Sequence, residues 1–260
     1  LDTSVSLVNA GLNLFYVSID GVGKFHDEIL WVKVSFERAK RALQNLVKAK
    51  GDKKSPTIIC NNTVSSLNVE HFEEVAAFAE KTGVDEINFE YVTAFGSETI
   101  ENSLLDGLRP NPYFVAQNFP LTLNREQAIL FKQKLAWIKK LLKPKNIRVF
   151  SGNIDLLTIE NLVGGIFPYE KCYFCRSHIA VDPYGNIVAC PNFMNYSYGN
   201  IKNEHLRSIW NNEKHRVFRR FQEGKKLDIC NYCNQNLQIN SSFIESMRKI
   251  YYSARGKERV

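Results

Sequence analysis

The stretch TIICNNTVSSLNVEHFEEVAAFAEKTGVDEINFEYV, residues 57–92, reads as one complete strand–helix–strand unit. Thr57-Ile58-Ile59-Cys60, continuing toward Val64, is an apolar, β-branched run of strand length. Asn68 stands as a helix cap. Phe72, Val75, Ala76 and Ala79 then recur at helical spacing on one face until Gly83 stops the helix. Glu86 to Val92 is the next strand. Two neighbouring strands joined through a helix run parallel, with a right-handed crossover. Continuous apolar strands of this kind belong to a sheet covered by helices.

The same alternation extends outward. Upstream, Leu14 to Ile19 is a strand ending in Asp20-Gly21, followed by a helix with Ser35 as cap, an apolar stripe of Phe36, Ala39, Leu43, Leu46 and Val47, and a stop at Gly51. Downstream, Phe95 to Leu123 is irregular and rich in Asn, Pro and Gly, long enough for a functional loop or insertion. Asn124 with Gln127 forms a capping-box start. Ala128, Phe131, Leu135, Ile138 and Leu142 are that helix's buried stripe, Pro144 ends it, and Ile147 to Phe150 is a fourth strand. Three or four such units are too few to close a barrel, and a sheet starting at the first strand leaves a parallel edge unpaired. The chain opens at Leu1, in what reads as the middle of an element, so further units are expected upstream.

Composition narrows the class. The 260 residues are 44% hydrophobic and 23% charged, which is ordinary for a water-soluble globular protein with a sizeable core. No apolar run approaches the roughly 18–20 residues of a membrane span, and no secretory signal is visible. A cytoplasmic protein without membrane contact is expected. Net charge is +7, with basic clusters at Arg216, Arg219, Arg220, Lys225 and Lys226 and at Arg248, Lys249, Arg255, Lys257 and Arg259. Few aromatics interleave with them, so they read as a solvated helix face and a polar tail rather than a nucleic-acid groove.

From Cys172 the chain changes character. Ser177 to Val181 and Ile187 to Cys190 alternate like two short strands. Asp182-Pro183-Tyr184-Gly185 between them suits a type I turn. The hairpin brings Cys190 back beside Cys172 and Cys175, and helices with Leu206, Ile209, Trp210, Val217, Phe218 and Phe221 on their apolar face return the chain to Cys230 and Cys233. Of six cysteines, five lie in this last third, and Cys60, alone in a strand, reads as core. Two Cys-x-x-Cys pairs in a chain that is not a small secreted scaffold favour metal over disulfides. Four thiolates suit a [4Fe–4S] cluster or a zinc ion equally. Cys190, Cys230 and Cys233 are natural ligands, with Cys172 or Cys175 as the fourth: five thiols for four places.

Nine residues separate Cys175 from Gly185, and four separate Gly185 from Cys190. Gly199-Asn200-Ile201, Leu206, Ile209-Trp210 and Cys230-x-x-Cys233 follow. Together these closely resemble the SPASM/twitch auxiliary-cluster domain of radical S-adenosylmethionine enzymes. Measured from Cys172 the gap to Gly185 is twelve, which also fits. Ala10-Gly11-Leu12 through Val17-Ser18-Ile19-Asp20-Gly21, then His26-Asp27 and Ser35-Phe36, are similar to that family's fourth barrel strand and following loop. Thr63-Val64 with Asn68 resembles the segment after its fifth strand.

The resemblance implies an α/β fold: the C-terminal half of a partial (β/α)6 TIM-like barrel over 1–150, a small α+β SPASM/twitch domain with a β-hairpin over 151–240, and a basic tail over 241–260. It implies one auxiliary [4Fe–4S] cluster here. It also implies S-adenosylmethionine and a second [4Fe–4S] in the full-length enzyme, fed by an electron donor such as flavodoxin or ferredoxin. Ser18 is the implied S-adenosylmethionine contact, with Asp20 beside it at the strand end, the face where barrel sites form. The implied chemistry is oxidation or modification of a substrate through a 5′-deoxyadenosyl radical, the substrate being a peptide or protein, or else a small molecule. The catalytic residues are not named by the resemblance. Three departures stand out. The sequence contains no Cys-x-x-x-Cys-x-x-Cys, so this piece alone is expected to be inactive. Leu30 occupies the place, twelve after Ser18, where the family often has Arg. No cysteine follows Cys233, so the shorter, single-cluster form is implied. The competing reading is a zinc-binding, non-catalytic interaction module on a degenerate barrel.

Overall fold

Four strands separated by amphipathic helices have one economical arrangement, a parallel sheet with its helices packed on one side, and the computed structural model adopts it. The structure describes residues 1–116, 121–167, 172–224 and 226–235. The 241–260 tail, with Arg248, Lys249, Arg255, Lys257 and Arg259, lies outside the described residues, as does Lys225. The chain divides into two compact units. Among the described residues, the first comprises Leu1–Val92 and Leu123–Ile159, and the second Thr93–Thr122 with residues 160–235.

In the first unit, α1 (Asp2–Asn9) precedes β1 (Leu14–Ser18), α2 (Lys24–Leu30), α3 (Ser35–Lys50), β2 (Thr57–Val64), α4 (Phe72–Thr82) and β3 (Glu86–Tyr91). After α5 (Ser97–Glu101), which belongs to the second unit, α6 (Arg125–Leu142) and β4 (Arg148–Phe150) complete it. The sheet order is β1-β2-β3-β4, all parallel. Phe89 packs on Phe72 of α4, ring centroids 4.2 Å apart, and Phe72 on Phe131 of α6 at 5.4 Å. That side of the sheet is the hydrophobic core. The other side is more polar, with Tyr16, Ile59 and Phe150 among polar neighbours. Ser18, Asn61 and Asn88 stand in one register row, and Thr63 and Glu90 in the next.

Asn124 and Gln127 form the expected capping box at the start of α6. Two other caps work differently from the sequence reading. Ser35 is already helical, and Asp27 of α2 caps α3 from outside: its Oδ1 accepts from the Phe36 N–H and the Ser35 hydroxyl, each at 2.8 Å, and its Oδ2 from the Val34 N–H at 2.7 Å. Asn68 heads a short 3-10 turn (Val69–His71), and its amide bonds the carbonyls of Asp20 and Thr63 at 2.9 and 2.8 Å. It ties strand ends together instead of capping α4.

In the second unit, α7 (Ile159–Gly164) and α8 (Phe174–Ser177) lead into β5 (Ala180–Val181), β6 (Asn186–Val188) and β7 (Ser197–Asn200), an antiparallel sheet in that order. Then come α9 (Leu206–Ile209), α10 (Glu213–Glu223) and a 3-10 turn (Asp228–Tyr232). The irregular 93–122 segment packs here: Phe95 and Leu105 share a core with Ile187, Phe193, Tyr198, Ile209 and Phe218. It also hydrogen-bonds to this unit, Ser103 Oγ accepting from the Ile229 N–H at 2.8 Å and Asp106 accepting from the Tyr196 hydroxyl at 2.8 Å. His215 of α10, fully buried, accepts at Nδ1 from the Asn211 N–H at 3.1 Å. Its Nε2 therefore carries the proton and donates to the Cys175 carbonyl at 2.6 Å. Tyr198 stacks on one face of the ring and Trp210 meets it edge-on, both at 4.4 Å.

Both units yield a test. Hydrogen bonds hold the Asp27 carboxyl below its ordinary value, the Phe36 N–H first and the Ser35 hydroxyl next. A depressed carboxylate contributes stability above its unfolded pKa and loses that contribution as pH falls through the lowered value. Asp27→Ala should speed hydrogen exchange over residues 34–38 at neutral pH, and the gap from wild type should close in acid. Equal protection at neutral pH would show that another group caps α3. His215→Phe strands a buried carbonyl and a backbone N–H, at a cost of about 1–3 kcal/mol. His215→Gln, able to donate from its own amide, should recover part of that loss in denaturant titration.

Candidate metal centre

Three local structures bring the cysteines together. The first is the β5–β6 hairpin, whose turn is closed by the Gly185 N–H on the Asp182 carbonyl at 3.0 Å. Asp182 Oδ1 accepts the N–H groups of Tyr184 and Asn186 at 2.8 and 2.9 Å. Gly185 has φ +90°, and a Cβ there would also press on Asn200 and Lys202 at 3.2 Å. The hairpin carries the chain into Cys190, just past β6, where the Phe193 N–H bonds the Cys190 carbonyl at 3.0 Å.

The second is α8, which presents Cys175 with Cys172 just before it, held from behind by His215. The third is the 3-10 turn at Asp228–Tyr232, which carries Cys230 and leads to Cys233. The Cys230 N–H bonds the Leu227 carbonyl at 3.0 Å, and the Phe167 N–H bonds the Asn231 carbonyl at 2.8 Å.

Cys172, Cys175, Cys190, Cys230 and Cys233 all line one recess of roughly 460 Å³ that includes open solvent. Phe174, Phe218 and Ile229 supply apolar wall, and Asn192, Gln222 and Gln235 the polar remainder. Burial pushes the thiols up: Cys175 to about 11, Cys172 upward, Cys190 and Cys230 far upward. Neighbouring thiols add to the shift, Cys233 foremost for Cys190 and Cys190 foremost for Cys230. Arg176 and Arg219 oppose it at Cys175. Left to themselves these groups stay protonated, and several become thiolates together only around a strongly positive centre. Sulfur donors in an apolar wall suit an iron–sulfur cluster or a tetrahedral zinc ion. Among the described residues, no group of three or more His, Cys, Asp or Glu side chains is spaced to hold a single metal ion.

The landmarks between the cysteines build the frame. A Cβ on Gly199 would sit 2.7 Å from Glu204 and 3.0 Å from Ile209. Asn200 bonds Asn186 Oδ1 at 2.9 Å and accepts from the Lys202 N–H at 2.8 Å. Asn212 accepts from the His215 N–H at 3.0 Å and donates to the Tyr198 carbonyl at 2.7 Å, joining α10 to β7. The sequence reading missed His215, Asn192 and Gln222. Only their nearness to the cysteine segments marked them, and no spacing rule singles out a lone His, Asn or Gln.

Cys60 lies in the core of β2 in the first unit, fully buried, its thiol raised by that burial. Ser18 and Asp20 also belong to the first unit. Ser18 ends β1 and is exposed. Asp20 is buried, its Oδ1 accepting from the Thr63 N–H at 2.7 Å and its own N–H bonding His26 Nδ1 at 3.1 Å. Burial raises its carboxyl, the Thr63 bond opposes this, and the charge of Glu90 raises it further.

Residues 172–234 match the SPASM family, described as an iron–sulfur cluster-binding domain. No curated protein matches the chain. Among solved structures, native anSMEcpe with bound AdoMet is 16% identical, with a TM-score of 0.58 over 98% of this chain and 70% of that one. The same protein with AdoMet and the Kp18Cys peptide is 17% identical, with a TM-score of 0.57 over 98% and 70%. SuiB of Streptococcus suis is 11% identical, with a TM-score of 0.52 over 90% of this chain and 51% of its own. At these identities the likeness is one of fold. The chain thus has the α/β fold of anSMEcpe and SuiB, and its residues 172–234 match the SPASM iron–sulfur cluster-binding domain.

Proposed function

We propose that this chain is part of a radical S-adenosylmethionine enzyme that oxidises or otherwise modifies a peptide or protein, with one auxiliary [4Fe–4S] cluster on Cys190, Cys230, Cys233 and either Cys172 or Cys175. The meeting of five thiols in one apolar recess, inside the segment that matches an iron–sulfur domain, carries this reading. Structures of similar fold were solved with a Kp18Cys peptide and with the precursor peptide SuiA, which supports a peptide substrate. When bound, S-adenosylmethionine and its own cluster supply hydrogen-atom abstraction by a 5′-deoxyadenosyl radical, and the auxiliary cluster supplies a site for one electron.

The chain's own residues do the positioning. Ser18, at the exposed end of β1, is the proposed contact to S-adenosylmethionine. Asp20 shapes that contact, holding the end of β1 to β2 through Thr63 while Asn68 grips its carbonyl. The polar row of Ser18, Asn61 and Asn88 offers hydrogen-bonding side chains rather than apolar wall to whatever that face holds. The sequence has no Cys-x-x-x-Cys-x-x-Cys, so radical generation is assigned to the full-length protein, with flavodoxin or ferredoxin as the class of electron donor. Among the described residues no helix is long and apolar enough to cross a membrane. Thiols kept free for a cluster fit a reducing, cytoplasmic setting.

Anaerobic reconstitution with iron and sulfide should give a brown protein with about four irons and four sulfides per chain. Cys190→Ala, Cys230→Ala and Cys233→Ala should each lose most of that iron, while Cys60→Ala keeps it. Of Cys172→Ala and Cys175→Ala, one should bleach the protein and the other should not. A colourless protein holding a single zinc would replace this reading with a structural module.

A further inference from the structure

Two amide side chains stand among the five thiols, and the proposed function leaves both without a task. Asn192, two residues past Cys190, donates from Nδ2 to Sγ of Cys233 at 3.1 Å. Gln222, on the last turn of α10, lines the same recess, is only 2% exposed, and has an Oε1 with no hydrogen-bond partner among the described residues. Folded proteins seldom leave a buried amide oxygen without a donor.

The composition of the recess bears on both amides. Its cysteine sulfurs, once ligated, accept hydrogen bonds and donate none. Gln222 lines the recess, its amide can present either Oε1 or Nε2 in the same space, and only Nε2 can donate to sulfur. Asn192 already shows the productive arrangement, with its amide hydrogen on sulfur. The geometry points to Asn192 and Gln222 as paired amide donors to the sulfurs of the bound cluster, setting its reduction potential. This inference rests on the proposed cluster in this recess.

The direction of the effect follows from charge. Reduction adds one electron, and the added negative charge spreads over the sulfurs. An N–H donor stabilises the more negative state more than the less negative one, so each donor raises the potential. An apolar wall of Phe174, Phe218 and Ile229 strengthens such a bond by keeping the local dielectric low. Arg176 and Arg219 also favour negative charge, but they act on the Cys175 side through charge alone. The amides act by direct contact and at defined sulfurs.

The test uses the whole chain with its cluster reconstituted, comparing wild type with Asn192→Leu and Gln222→Leu at matched iron content. In a spectroelectrochemical titration each single substitution should shift the reduction equilibrium about threefold toward the oxidised form. The double substitution should shift it about tenfold, a fall of 59 mV for one electron. Unchanged midpoints at full iron content would overturn the assignment. A second measurement needs no substitution: in resonance Raman spectra of the wild-type holoprotein, exchange into D₂O should move the Fe–S stretching bands, and unmoved bands would overturn it equally. A wild-type chain that takes up no iron–sulfur cluster would instead defeat the proposed function itself.

Discussion

Several sulfur anions cannot share an apolar recess unless something strongly positive lies between them. That constraint organises the second unit. Burial in that recess, with neighbouring thiols adding to it, pushes the cysteine thiols toward the protonated form. A cluster reverses the balance by supplying charge that burial denies. The backbone around it is correspondingly over-determined. One turn is locked by Asp182, one helix is pinned through His215, and a 3-10 turn is anchored to Ser103 and to Phe167. Rigid attachment matters for any thiols that are to be presented together to one centre.

The segment 93–122 has its place in this scheme. By composition it reads as a functional loop or insertion, and it contributes Phe95 and Leu105 to the core that backs the cysteines. It also supplies the hydroxyl of Ser103 and the carboxylate of Asp106 as fixed acceptors. Polar chain holds a fixed place when a neighbouring element satisfies its hydrogen bonds, as Tyr196 and Ile229 do for Asp106 and Ser103.

The first unit obeys a different logic. Its sheet is apolar toward α4 and α6 and more polar on the other face, where Ser18, Asn61 and Asn88 align. Asp20 and Asn68, both buried, serve as the brackets of that face, each bonding backbone groups that strand pairing leaves open.

Much of this was legible in the residues alone. Apolar periodicity located β1 to β4 and the helices between them, because strands and helices impose different repeats on any chain with one buried face. The Cys spacing, with Gly185, Gly199-Asn200 and Trp210 between, carries the resemblance to an iron–sulfur domain that residues 172–234 match. The fold gives those landmarks a turn, a close approach and a packed ring. What the linear pattern concealed was set by distance in space. Asp27 caps a helix eight residues away, Asn68 braces strand ends instead of a helix, His215 holds a carbonyl 40 residues upstream, and Asn192 meets a sulfur 41 residues downstream. Local periodicity reports which side of an element is buried. Which single polar group meets which partner depends on how separate elements dock, and only the folded chain decides that.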